Sequence, residues 1–224
     1  MWDRVTPALS GRFRTLRYDT RGHGRSSVPA GPYSLADLGN DVVGLLDLLG
    51  IERCVFCGLS LGGMTGIWLG INAQHRVSRM VLANTAAKIG TRERWNERIQ
   101  AVQQGGVDSI AEAVLERWFT TEFERGSPDV IDAARRMLAD TPREGYAGCA
   151  AAIRDADLTS ELHRITTPAM VIAGTFDPAT TPEDGRVLAR GIKGAEYVEL
   201  KTAHLSAIED PNGFTSAALG FLKE

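Results

Sequence analysis

The residues Cys54-Val55-Phe56-Cys57-Gly58-Leu59-Ser60-Leu61-Gly62-Gly63 carry the first clear instruction about the fold. Cys54–Cys57 reads as a short buried strand. Leu61 to Ala73, rich in small residues (Gly62, Gly63, Gly66, Gly70), reads as a helix packed tightly on a sheet. Between them Gly58-Leu59-Ser60-Leu61-Gly62 fits G-x-S-x-G, the strained turn that lifts a nucleophilic serine clear of a strand end. Glycines are expected on both sides of Ser60, because strand and helix backbones pass too close there for a Cβ. The same turn points the Leu61 backbone N–H at the oxyanion that attack by Ser60 would create.

Working outward, the chain alternates strand, loop and helix. Phe13–Tyr18 reads as a strand ending at Asp19, followed by the glycine-punctuated loop Thr20–Ser27. Ser34 and Asp37 predict a helix start by reciprocal capping, with Leu35, Leu38, Val42, Leu45, Leu46 and Leu49 at helical spacing and Gly50 beyond the end. Val77–Leu82 is the next strand. From 89 to 166 only helical periodicities occur; strand character resumes at Pro168–Gly174 and again at Ala195–Leu200, with helices at Glu183–Gly191 and Asn212–Leu222. The pattern predicts an α/β fold, a mostly parallel sheet with helices on both faces. Residues 1–88 and 167–224 form its two parts, and 89–166 a helical insertion.

Composition narrows the function classes. The 224 residues carry 25 basic and 28 acidic side chains, a net charge of −3. The isoelectric point near 5.9 excludes a basic nucleic-acid footprint. No apolar run reaches the roughly 18 to 20 residues that span a bilayer, and Met1–Val5 has no signal-peptide pattern, so a cytoplasmic protein is expected. Three cysteines (Cys54, Cys57, Cys149) cannot all pair within one chain. Cys54 and Cys57 match C-x-x-C, but inside a strand pattern a buried structural role is expected instead of a redox or metal site.

A serine nucleophile needs a base, and the base an orienting acid. His204 follows the last strand, where the chain order Ser…Asp…His puts the base. His75 and His163 read as surface residues, and His23, ahead of the serine, as structural. Asp177 closes the strand 170–174 at a carboxyl end of the sheet, where sites of open α/β sheets form. Its rivals Asp155 and Asp157 precede that strand, and Asp184 lies in a helix.

Five segments carry a family resemblance: Arg17–Gly24, Cys57–Gly63, Asn84–Gly90, Arg117-Trp118-Phe119-Thr120 and Gly174–Asp177. Through them the chain resembles the α/β-hydrolase superfamily, and more narrowly the 3-oxoadipate enol-lactonases. The resemblance implies a helical cap over the site and hydrolysis of a small carboxylated lactone through an acyl-enzyme on Ser60, without metal or organic cofactor. It also implies a group that meets the substrate carboxylate; Arg117 with Trp118 is the first candidate and Lys88 the second. A general carboxylesterase or perhydrolase-like enzyme on the same triad is the alternative activity. A haloalkane dehalogenase is disfavoured, since its nucleophile is an aspartate.

Superfamily members place earlier strands and a loop supplying a second oxyanion N–H before the strand at Phe13. Here twelve residues precede it, so the reading expects those strands to be absent, by about forty residues, through a start assigned too late. Loss of one oxyanion donor typically costs about 100- to 1,000-fold in kcat. A shortened, non-catalytic binding module is therefore the alternative from a different class.

Overall fold

The computed structural model describes residues 1–222. Four strands, β1 (Cys54–Leu59), β2 (Val77–Ala83), β3 (Ala169–Gly174) and β4 (Glu196–Leu200), form one sheet in the order β1-β2-β3-β4. Every neighbouring pair is parallel, and the register sets Leu59 beside Ala83, Ala83 beside Ile172 and Gly174 beside Leu200. The carboxyl ends of all four strands therefore share one rim.

Alternation along the strands builds two apolar layers. Met80, Leu82, Ala169 and Val171 face a cluster containing Leu38, Val42, Met64, Ile67 and Leu188. Val81, Ala83, Met170 and Ile172 face the opposite cluster with Val5, Phe214, Ala218 and Phe221. Met64, Ile67 and Phe214 are fully buried, and each such side chain contributes about 1.5–3 kcal/mol relative to exposure.

The helices supplying those side chains are α1 (Thr6–Ser10), α2 (Leu35–Leu48), α3 (Leu61–Asn72), α9 (Pro182–Gly191), α10 (Ser206–Glu209) and α11 (Pro211–Leu222). The start of α2 is the reciprocal Ser34–Asp37 cap, and Gly50 beyond its end takes φ +63°. Thr181 and Asp184 cap α9 in the same way.

Between β2 and β3 lie α4 (Arg92–Gly105), α5 (Ala111–Trp118), α6 (Thr121–Gly126), α7 (Pro128–Ala139) and α8 (Arg143–Asp155), with α4 packed along α8. The outgoing and returning chains are tied together by a Leu158 N–H to Ala87 carbonyl bond of 2.9 Å. Ion pairs Lys88–Asp157 (3.0 Å) and Arg92–Asp155 (2.8 Å) reinforce that junction.

Two expectations need correction. Phe13–Tyr18 is not a strand: from Arg14 to Arg21 no backbone N–H reaches a backbone acceptor among the described residues. A strand exists only through its ladder, and β1 is paired on one side alone, by β2. Cys54 and Cys57 are half-buried, not fully buried, and three residues apart in a strand they face opposite sides of the sheet. They form no redox pair, and burial pushes the Cys57 thiol up to about 12.

Candidate active site

Ser60 is the residue between β1 and α3, with φ +56° and ψ −117°. This strained left-handed turn is held by the Ser60 N–H to Ala83 carbonyl bond of 2.9 Å. A Cβ on Gly58 would lie 2.2 Å from the Gly62 carbonyl oxygen, so glycine there is a steric requirement. Gly62 itself faces open space. The second crowded glycine is Gly63, where a Cβ would meet Thr85 at 2.5 Å. The expected pair of tight glycines is therefore 58 and 63, not 58 and 62. The Leu61 N–H opens α3, and no backbone acceptor among the described residues takes it.

The three residues drawn from separate loops meet at the rim of the sheet. His204 Nε2 is 2.9 Å from Ser60 Oγ, and His204 Nδ1 is 2.8 Å from Asp177 Oδ2. His204 and Asp177 are both buried, while Ser60 remains partly open. Asp177 Oδ1 accepts the N–H groups of Ala179 (2.8 Å) and Thr180 (3.0 Å); Oδ2 also accepts the Thr180 hydroxyl at 2.7 Å. Burial pushes the Asp177 pKa up, but the bonds from His204 and Thr180 outweigh it and hold the carboxyl below its ordinary value. Asp177 thus stays ionised and fixes the Nδ1–H tautomer of His204, leaving Nε2 free to accept a proton from Ser60. Asp155 and Asp157 lie elsewhere, in the surface ion pairs of the insertion junction.

Ser60 and His204 open onto a cavity of about 260 Å³ roofed by the insertion. Trp95, Trp118, Tyr146 and Ile153 supply apolar wall, and Arg94, Arg98 and Arg117 supply charge; no Asp or Glu among the described residues lines it. None of these three arginines has an ion-pair partner among the described residues. The Arg98 guanidinium lies 5.0 Å from the centre of the Trp95 ring, and Arg98 also faces Tyr146, whose pKa is raised by burial against the opposing pull of Arg98. Arg117 Nε donates to the Ala113 carbonyl at 3.0 Å. Such an arrangement can activate a hydroxyl nucleophile beside a pocket that selects an anion.

The family profile for the alpha/beta hydrolase fold matches residues 1–211. The chain belongs to the alpha/beta hydrolase family. It is an ester or lactone hydrolase by that kinship. It is 41% identical over 223 residues to 3-oxoadipate enol-lactonase 2 of Acinetobacter baylyi, with 100% of this chain and 84% of that protein covered. The enol-lactonase from Burkholderia xenovorans LB400 superposes with a TM-score of 0.98 at 47% identity, over 100% of this chain and 86% of that one. A thermophilic esterase from Thermogutta terrifontis, solved with malate bound, gives 0.94 at 28% identity, over 99% and 84%.

Of the residues anticipated in this hydrolase, Ser60, Leu61, His204, Trp118 and Arg117 line the cavity, and Asp177 stands behind His204. Lys88 does not line it: its Nζ is committed to Asp157 on an exposed surface. That ion pair joins the two ends of the insertion, away from the cavity beside Ser60. His23 does line the cavity, although a structural role was expected. Its Nδ1 is 3.3 Å from the Arg21 carbonyl, and burial pulls its pKa down, so at neutral pH it is uncharged.

Arg94, Trp95 and Arg98 escaped notice in the sequence. Their signal was available: Arg94 and Arg98 are four apart with Trp95 between, one face of a helix whose N-cap is Thr91. Glu209 was also missed. Its carboxylate accepts the Ala203 N–H at 2.9 Å and the hydroxyl of Thr120. No group of three or more His, Cys, Asp or Glu among the described residues could hold a metal ion, and no described helix is long and apolar enough to cross a membrane.

Proposed function

We propose that this protein hydrolyses 3-oxoadipate enol-lactone, or a closely related small carboxylated lactone, through an acyl-enzyme on Ser60. The observation that carries the reading is the Ser60–His204–Asp177 chain opening onto a cavity lined by three arginines and, among the described residues, no acid. A neutral ester gives no reason for unpaired guanidiniums in the wall, whereas a lactone bearing a free carboxylate does. The relatives named as enol-lactonases and the malate-bound esterase support the same chemistry.

Ser60 Oγ attacks the ring carbonyl while His204 Nε2 takes its proton. The oxyanion of the tetrahedral intermediate accepts the Leu61 N–H at the start of α3. Collapse breaks the ring C–O bond, and His204 returns the proton to the departing enol oxygen. The enol stays tethered to the acyl chain and tautomerises to the ketone. His204 then deprotonates a water that attacks the ester carbonyl; Ser60 recovers its proton and the dicarboxylate leaves. Asp177 keeps its charge throughout and stabilises the imidazolium.

Residues 89–166 act as a cap over the core formed by 1–88 and 167–224. Arg98 is the group that meets the substrate carboxylate: it is held over Trp95 and beside Tyr146, so little side-chain freedom is lost on binding. Arg117, partly engaged with the Ala113 carbonyl, lies beside Trp118 in the same wall. Three unpaired cysteines fit a reducing compartment, and we assign the enzyme to the cytoplasm.

Arg98→Ala tests the reading. It should raise KM for the enol-lactone by roughly 10- to 100-fold, the worth of a charge-assisted hydrogen bond, and leave KM for 4-nitrophenyl acetate unchanged. Equal effects on both substrates would remove the carboxylate contact from Arg98.

A further inference from the structure

We propose that Asn84 is a positioning residue for the Asp177–His204 pair, fastening acid, base and nucleophile turns into one bonded frame. This rests on the serine-hydrolase reading of the site and adds to it a residue with no place in the proton transfers.

Asn84 is the first residue beyond β2, 1% exposed and in the left-handed region at φ +42°. Asparagine tolerates that backbone better than most side chains. Its own N–H donates to the Ile172 carbonyl at 2.7 Å, anchoring it to β3. The side-chain amide is fully used. Nδ2 donates to Asp177 Oδ2 and to the Ala203 carbonyl, both at 3.1 Å, and Oδ1 accepts the Ser206 hydroxyl at 2.5 Å. The orientation of the amide is forced, since a carboxylate and a carbonyl can only accept.

These bonds have a common target. Ala203 and Ser206 bracket His204 along the chain, and Asp177 holds its Nδ1. Thr85, next in sequence, donates its hydroxyl to the Ser60 carbonyl at 2.8 Å. One buried turn thereby reaches the loops of all three residues. The amide also gives Asp177 Oδ2 a further donor beside His204 and Thr180. Without it the carboxylate loses one of the bonds that hold it against His204 Nδ1.

The test uses Asn84→Gly, because glycine accepts the positive φ and so removes the side chain without straining the backbone. Ser206→Ala removes the donor that orients the amide and carries the test should Asn84→Gly not fold. Each variant is assayed with 4-nitrophenyl acetate and with the enol-lactone, and the low-field proton resonance of His204 Nδ1–H is recorded. For Asn84→Gly, kcat should fall roughly 10- to 100-fold on both substrates, as for outer partners that orient a reacting group. KM should hold within a factor of two, and the Nδ1–H resonance should shift. Ser206→Ala should show the same pattern with a loss of roughly fivefold, the worth of one neutral hydrogen bond.

A lowered melting temperature with unchanged kcat and resonance would reduce Asn84 to packing and overturn the proposal. Wild-type enzyme that turned over neither substrate would instead sink the hydrolase reading. The Nδ1–H resonance would still decide the role of Asn84 in that case.

Discussion

In the proposed mechanism Ser60 draws its reactivity from geometry that begins in the backbone. Gly58 admits the tight turn, the turn fixes the hydroxyl 2.9 Å from His204, and Asp177 fixes the imidazole. Ser60→Ala should abolish turnover, and Asp177→Asn should cut kcat roughly 10,000-fold with the fold intact; steady-state rates beside circular dichroism check both. Near-full activity in Asp177→Asn would remove it from the acid position. The same carboxyl has a pH signature in stability. Its pKa is depressed in the folded state, so its contribution is present above the ordinary value of 3.8 and is lost as pH falls through the lower folded value. Denaturation at about pH 7 and about pH 3 should show the stability of wild type relative to Asp177→Asn shrinking in acid. A difference independent of pH would contradict that linkage. These three residues were legible in the chain because each follows a strand end, and parallel strands bring their carboxyl ends to one rim.

Between elements, the contact that joins the insertion to the base loop is the least obvious and the easiest to cut. The Leu205 N–H donates to the Trp118 carbonyl at 3.0 Å, and Glu209, at the end of α10, bonds both Ala203 and Thr120. With the Thr120 N–H also donating to Glu209, the segments around Trp118 and His204 are tied through four bonds. Glu209→Ala should cost about 1–3 kcal/mol of stability and lower kcat on lactone and simple ester alike, whereas Glu209→Gln, which keeps an acceptor for Ala203, should lose less. Chemical denaturation and parallel kinetics decide it; a Glu209→Ala protein unchanged in both would make the clamp incidental. Sequence reasoning could place α2, because the Ser34–Asp37 cap and the helical spacing of its leucines specify a helix from within. It could not settle Phe13–Tyr18, which reads as a strand, since a ladder depends on a neighbour that local sequence does not encode. Glu209 was hidden for a related reason. Its bonds to Thr120 and Ala203 arise only when the insertion folds back onto the rim.

The molecule as a whole carries a net charge of −3, yet its catalytic cavity is walled by Arg94, Arg98 and Arg117 with no acid among the lining residues. Charge separation of this kind favours entry of an anion into one place on an otherwise acidic protein. Raising salt from about 0.01 M to about 1 M shortens the screening length from roughly 30 to 3 Å. KM for the anionic lactone should therefore climb with salt, while KM for 4-nitrophenyl acetate should not; parallel rises would point to a general salt effect on the fold. The central claim is that Ser60 serves a small carboxylated lactone in preference to simple esters. Side-by-side kcat/KM values of the wild-type enzyme for 3-oxoadipate enol-lactone and 4-nitrophenyl acetate test it most directly, with Ser60→Ala as the blank. The expected result is a clear preference for the lactone and no turnover by Ser60→Ala; a lactone rate no better than the ester rate, or turnover surviving in Ser60→Ala, would contradict it.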